Sequence, residues 1–180
     1  MNSYEKLRQQ YRPDNIDVLL IAESPPPSAE AQGSRHFYRS QTPRRDDRLF
    51  LNTIKAVFSE TEGIADTELE ETKEHWLQRF KDEGFYMIEA LETSLQHKVT
   101  KPQRQEKIKQ ALPRLIERVG ELASPATGIV LIKSNVFDVA AEPLREAGFN
   151  VLNTGLVDYP GFYNQKAYRE KLRGLVEGLK

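Results

Sequence analysis

The side chains that could do chemistry first appear where an apolar segment ends near the start of the chain. Glu23 and Ser24 directly follow the apolar residues 17–22, and prolines occupy positions 25–27. A carboxylate at the end of a strand can orient or activate a water molecule, and partial burial would raise its pKa toward a useful range. The prolines would keep the turn rigid, which lowers the cost of ordering a binding site. The alternative is a turn that ends the strand and leaves Glu23 in solvent, and both interpretations stay open.

A long polar loop follows this turn and carries two adjacent aromatic residues. Residues 27–45 include Phe37 and Tyr38, which lie between Arg35 and Arg39. Loops of this length within a compact domain are usually functional or disordered. Aromatic rings flanked by arginine suit base stacking together with phosphate contact. The alternative is that these rings anchor the loop to the core.

A second group of hydrogen-bonding and aromatic residues precedes the last predicted helix. The segment 158–165 reads Asp-Tyr-Pro-Gly-Phe-Tyr-Asn-Gln, with Pro160-Gly161 suited to a tight turn. A helix that begins there presents free backbone N–H groups to an anion. The alternative is a turn fixed by buried tyrosines.

Four apolar segments alternate with amphipathic ones, and this alternation predicts how the chemical groups are positioned. It is typical of an α/β domain with a parallel sheet and helices on both faces, and we expect one domain over residues 1–180. Ligands of open parallel sheets bind at the carboxyl ends of the strands. Strands are predicted at 17–22, 85–88, 128–132 and 149–153, and helices at 3–11, from Asp46 or Asp47 onward, within 60–82, at 103–122 and 136–146, and after Asn164. The carboxyl-end rule selects residues 23–26, 89–92, 133–135 and 153–164, and so brings in Lys133 as a ligand contact.

Composition narrows the class of protein. The 180 residues include no cysteine, which excludes disulfides, thiolate-bound zinc and cysteine-held iron–sulfur clusters. The three scattered histidines argue against a histidine metal site, so we expect neither metal nor cofactor. No apolar segment approaches the roughly 20 residues of a spanning helix, and the first residues do not form a signal peptide. These features predict a cytoplasmic monomer without membrane contact.

The net charge of −1 means that any attraction to nucleic acid must be local. Two clusters of basic residues could contact phosphates, although a solvated surface explains most of these residues equally well. The clusters are Arg35, Arg39, Arg44, Arg45 and Arg48, and Lys98, Lys101, Arg104, Lys107 and Lys109.

The first motif resembles that of the uracil-DNA glycosylase superfamily. A strand that ends Leu-Leu-Ile-Ala-Glu-Ser-Pro-Pro is similar to the family's first motif, in which a small residue, a polar residue, a water-activating or spacer position and a proline follow the strand. The resemblance assigns these positions to Ala22, Glu23, Ser24 and Pro25. It further implies that an aromatic residue downstream, Phe37 or Tyr38, stacks on a flipped base. The chain looks most similar to a small bacterial branch with Glu-Ser-Pro-Pro after the first strand and Pro-Gly…Gln before the last helix.

Two further motifs agree in position and depart in residue type. Glu89 stands where the family usually has a base-reading asparagine, and Tyr159-Pro160-Gly161 stands where it has His-Pro-Ser. Ser24 occupies the place of the usual catalytic aspartate. The resemblance implies a three-layer α/β/α sandwich around a four-stranded, mainly parallel sheet of order 2-1-3-4. It also implies a partner that is DNA or another nucleobase-containing ligand. The residues that it assigns to catalysis are Glu23, Ser24 and Tyr159, and those that it assigns to base or ligand contact include Ala22, Pro25, Phe37, Tyr38, Glu89, Pro160, Gly161 and Gln165.

Three hypotheses follow from these residues. The first is a DNA glycosylase-like enzyme in which water attacks the sugar of a flipped nucleotide. The second is a pocket that binds a nucleotide or nucleic acid without cleaving it. The third is a protein-interaction module whose surface is the acidic segment 60–75 with Trp76.

Overall fold

The computed structural model describes residues 3–26, 36–40, 47–95 and 98–179, and shows an α/β architecture. The strands are β1 (Val18–Ala22), β2 (Phe85–Glu89), β3 (Gly128–Leu131) and β4 (Asn150–Val151). The helices are α1 (Ser3–Gln10), α2 (Arg48–Val57), α3 (Asp66–Glu71), α4 (Lys73–Asp82), α5 (Lys101–Leu122), α6 (Ser134–Glu146) and α7 (Gln165–Val176). Short 3-10 turns lie at Ser59–Thr61 and Glu177–Leu179.

The strands form one parallel sheet in the order β2-β1-β3-β4, which confirms the predicted class and strand order. At the centre of the sheet Leu20 pairs with Met87 on one side and Val130 on the other. Every residue of β1, β2 and β3 is buried, because helices cover both faces of the sheet. The parallel register brings the carboxyl ends of β1, β2 and β3 to the same edge.

The fourth strand is shorter than the predicted 149–153, since only Asn150 and Val151 pair as a strand with β3. A side chain continues the pairing beyond them. The Asn153 amide accepts from the Leu131 N–H at 3.0 Å and donates to the Leu131 carbonyl at 3.1 Å. The fully buried amide of Asn153 therefore replaces a backbone unit at the edge that carries the site.

Helix boundaries differ from the predictions at several points, including α6, which begins at Ser134 rather than residue 136. The helical region within 60–82 is divided at Thr72, whose φ of −104° separates α3 from α4. Helix α5 begins at Lys101, after a capping box formed by Thr100 and Gln103, and continues through Pro113. The interpretation of Trp76 as an exposed interaction surface is wrong, because Trp76 is buried. The centre of its ring lies 5.7 Å from the centre of the Phe58 ring.

Candidate functional site

A cavity of about 530 Å³ opens at the carboxyl edge of the sheet, where the sequence predicts a ligand site. Apolar parts of its wall come from Leu49, Leu95 and Ile132. The predicted site residues that line the cavity are Ala22, Glu23, Ser24, Pro25, Phe37, Glu89, Lys133 and Tyr159.

No helix among the residues that the structure describes is long and apolar enough to cross a membrane.

Glu23 is the centre of a hydrogen-bonded charge cluster in this cavity. Its Oε2 accepts from Lys133 Nζ at 2.5 Å and from Arg104 Nη1 at 2.8 Å. Its Oε1 accepts from Asn135 Nδ2 at 2.5 Å. Sequence reasoning placed Arg104 only in a basic cluster, because nothing in its local pattern shows that α5 crosses the end of β1.

The pKa of Glu23 lies below its ordinary value, so the expectation of a raised pKa is wrong. Burial acts to raise this pKa, but hydrogen bonds from Lys133 and Asn135 and the positive charges of Lys133 and Arg104 outweigh it. Glu23 is therefore ionised at neutral pH. Because both of its oxygens already accept hydrogen bonds, it suits electrostatic stabilisation better than proton abstraction.

Lys133 reaches Glu23 through an unusual backbone conformation. It lies between β3 and α6 with φ of 83° and ψ of 140°, a region that residues with a side chain rarely adopt. Its N–H donates to the Val157 carbonyl at 2.7 Å, and its carbonyl accepts from Val136 at 3.1 Å. Strain of this kind persists where neighbouring contacts fix the turn, and it occurs often at functional sites.

Glu89 forms part of the cavity floor and is held by two arginines that do not line the cavity. Its Oε2 accepts from Arg8 Nη1 at 3.0 Å, and its carbonyl accepts from Arg118 Nη1 at 3.1 Å. Burial raises the pKa of Glu89 to about 8, although the charge of Arg118 opposes the shift. The salt bridge from Arg8 also favours the ionised form, yet the carboxyl has so little contact with water that we expect burial to dominate.

His36 lies beside Glu89 as a neutral imidazole. Its Nδ1 accepts from the Tyr38 N–H at 3.2 Å, so the proton is on Nε2, which lies 3.9 Å from Glu89 Oε1. Burial lowers the pKa of His36 to about 3. At neutral pH it therefore adds a donor and no charge to the floor.

The two aromatic residues predicted to stack on a base belong largely to the core. Tyr38 is 1% exposed, stacks on Tyr11 and exchanges hydrogen bonds with the backbone of Met87, so it offers no ring face to a ligand. The prediction that Tyr38 stacks on a base is therefore wrong. Phe37 packs against Phe50 and touches the cavity, but it too is buried.

The segment before α7 divides into one lining residue and a supporting turn. Tyr159 lines the cavity and is partly exposed. Pro160 is buried, the Gly161 N–H donates to Asn164 Oδ1 at 2.7 Å, and Gln165 accepts from Asn52 at 3.5 Å. Pro160, Gly161 and Gln165 therefore shape this turn and do not line the cavity.

The same segment carries exposed aromatic rings that sequence reasoning did not single out. Phe162 is 75% exposed and Tyr163 is fully exposed. The guanidinium carbon of Arg48, which lines the cavity, lies 3.3 Å from the centre of the Phe162 ring. Their location in an aromatic-rich segment after a strand was the available signal.

Positive charge predominates in the cavity. Its basic residues are Arg48, Lys98, Arg104 and Lys133. Two of the three carboxyl groups among its described lining residues contact basic residues that do not line it, Asp47 with Lys73 at 2.8 Å and Glu89 with Arg8 at 3.0 Å. Among the described lining residues, Glu23 is the carboxylate that pairs with cations of the cavity itself, Arg104 and Lys133. Of the predicted basic clusters, Arg35, Arg44 and Arg45 lie outside the described residues, as does Asp46.

No known protein family, curated protein or solved structure matches the chain. Among the described residues, no three histidine or carboxylate side chains gather as ligands for a metal ion.

Proposed function

We propose that the cavity binds a nucleobase and its adjoining phosphate, in the manner of the uracil-DNA glycosylase superfamily. The observation that carries the proposal is the combination of apolar walls with an excess of cations in one cavity at the carboxyl edge of the sheet. A base needs apolar surface and a few polar groups, whereas a phosphate needs positive charge.

The cavity offers separate surroundings to the two parts of such a ligand. Leu49, Leu95 and Ile132 supply apolar contacts for a base, and Glu89 on the floor can hydrogen-bond its edge. Lys98 and Arg48 supply charge for a phosphate.

The exposed rings beside the cavity favour a nucleic-acid strand over a free nucleotide. Phe162 and Tyr163 belong to the segment of Tyr159, which lines the cavity. Aromatic rings stack on bases of any sequence and contribute about 1–3 kcal/mol per base. Bases next to the bound one would stack on them.

A second candidate function is hydrolysis of an N-glycosidic bond, as in DNA repair. It is favoured by the ionised Glu23, because a buried carboxylate can stabilise the cationic sugar that develops as the base leaves. The Tyr159 hydroxyl would donate a hydrogen bond to the negative charge that develops on the leaving base, and Ser24 would help to hold the attacking water.

Fluorescence anisotropy with labelled single-stranded and duplex oligonucleotides tests the binding proposal. We expect binding that weakens as the salt concentration rises. In Lys98→Gln the slope of log binding constant against log salt concentration should fall by about one, because one phosphate contact is lost. In Phe162→Ala binding should be about tenfold weaker. Lys109→Gln, an exposed residue that does not line the cavity, is the charge-matched control. Failure of the protein to bind any oligonucleotide or nucleotide in low salt would rule out the proposal.

Base release from a panel of damaged duplexes and single strands tests hydrolysis. We expect release by the natural protein and its loss in Glu23→Gln, with thermal melting to confirm that this variant folds. Binding without release would leave only the binding function, and release that is unchanged in Glu23→Gln would contradict the catalytic role of Glu23.

A further inference from the structure

A second cavity of about 350 Å³ lies on one face of the sheet, between α1 and α5 and over the edge strand β2. Tyr86 and Ile88 of β2 form part of its wall. Four arginines contribute to it, Arg8 and Arg12 from the α1 region and Arg114 and Arg118 from α5. Planar guanidinium groups that converge from two elements suit an oxyanion better than any other common ligand.

Two of these arginines are buried and keep unused donors. The side chains of Arg8 and Arg118 are each 7% exposed. Arg8 Nε and Arg118 Nη2 have no hydrogen-bond partner among the described residues, and the same is true of the Tyr4 hydroxyl, whose residue also lines the cavity. A buried donor on a charged group costs several kcal/mol when nothing accepts from it. The arrangement therefore calls for an acceptor that none of the described residues supplies.

The carboxylates of the second cavity lie mainly at its rim. Glu92 and Glu121 are 54% and 60% exposed and contact the arginines at 3.6 to 3.9 Å, too far for a hydrogen bond. Glu5 is the exception, since it is bonded directly to Arg8. Exposed carboxylates can turn toward water at little cost, whereas the buried guanidinium groups cannot.

We infer that the second cavity is a binding site for a phosphate-type oxyanion. Its oxygens accept from Arg8 and Arg118 on the floor, and Arg12 and Arg114 close over it from the rim. The inference does not depend on what the first cavity binds. The same chemistry describes free phosphate and a backbone phosphate of a nucleic acid.

Nuclear magnetic resonance of the arginine Nε–H groups tests the site in the full-length protein. The probe is orthophosphate, added at constant ionic strength against sodium chloride, with the signals assigned from Arg8→Lys and Arg118→Lys. We expect saturable shifts of the Arg8 and Arg118 signals. Phosphate affinity should fall about tenfold in Arg118→Lys, because lysine keeps the positive charge and loses the paired N–H donors of the guanidinium group. The exposed variant Arg12→Gln, whose folding is not in question, should weaken binding about threefold, and Lys109→Gln should not change it.

The outcomes separate the alternatives. Shifts with orthophosphate alone identify a free anion, and shifts that an oligonucleotide also produces identify a backbone phosphate. Absence of a saturable shift up to tens of millimolar phosphate, or equal shifts with chloride, overturns the inference and leaves the arginines to water and their own carboxylates. The Arg104 signal reports the first cavity separately, so failure at one site is not mistaken for failure at the other.

Discussion

Lys133 and Glu23 are 110 positions apart in the sequence, and Lys133 Nζ lies 2.5 Å from Glu23 Oε2. The parallel pairing of β1 with β3 brings them together, because Ile21 pairs with Leu131 and each of the two charged residues lies two positions farther along its own segment. The contact is thus a direct result of strand register. A slip by one residue would turn every side chain of β3 to the other face.

The left-handed backbone at Lys133 gives a matched pair of substitutions. Lys133→Gly and Lys133→Ala both remove the amine, but only glycine adopts φ of 83° without strain. We expect the glycine variant to be more stable than the alanine variant by about 1 kcal/mol, measured by urea unfolding. Equal stability of the two would show that this turn stores no strain.

Lys73 tests the buried ion pair that ties the loop at His36 to the start of α2. Its amine donates to Asp47 Oδ2 at 2.8 Å and to the His36 carbonyl at 3.0 Å. Lys73→Met leaves a buried carboxylate without its partner, and we expect a loss of about 3 kcal/mol in the free energy of unfolding.

The double variant Lys73→Met/Asp47→Asn removes both charges of this pair. We expect it to recover part of the stability that Lys73→Met loses, because the unpaired charge is then gone. A double variant that is less stable than Lys73→Met would contradict this account.

Asn153 tests the side chain that continues the sheet. Asn153→Ala removes two hydrogen bonds to the Leu131 backbone, and we expect a loss of about 2 kcal/mol in unfolding free energy. The exposed Asn150, in β4 itself, is the control, and Asn150→Ala should change stability by about 0.5 kcal/mol or less. Similar losses in the two variants would argue against the role of the buried amide.

The raised pKa of Glu89 leads us to expect that stability decreases as the pH rises toward 8. Its folded pKa of about 8 is above the value in the unfolded chain, so the folded state holds a proton that the unfolded state has lost. Stability from this group is complete below the unfolded pKa and decreases as the pH rises toward 8. His36, with its pKa lowered to about 3, acts in the opposite direction, but only below about pH 6.5.

The measurement therefore belongs between pH 6.5 and 8, where His36 no longer contributes. We expect the free energy of unfolding to fall more steeply with pH in the natural protein than in Glu89→Gln. Parallel curves for the two proteins would show that Arg8 keeps Glu89 ionised.

The sequence predicts the strands and their common edge because buried parallel strands are continuous apolar segments. That edge in turn predicts Glu23, Glu89, Lys133 and Tyr159 as neighbours of one cavity. The partners of Glu23 were beyond reach, because Arg104 comes from a helix whose crossing over the sheet leaves no local pattern. The fate of Tyr38 was equally hidden, since an aromatic residue in a polar loop reads the same whether its ring faces a ligand or Met87.

The contact between Arg8 and Glu89 links the first helix to the first cavity. That helix looks like a polar extension of the chain, yet its Arg8 donates a hydrogen bond to Glu89, which lines the first cavity. Proteolytic clipping within the first dozen residues would therefore uncover the edge strand and leave the buried Glu89 without the donor that Arg8 provides. Damage at the amino terminus would therefore alter the carboxyl end of β2, where Glu89 lies.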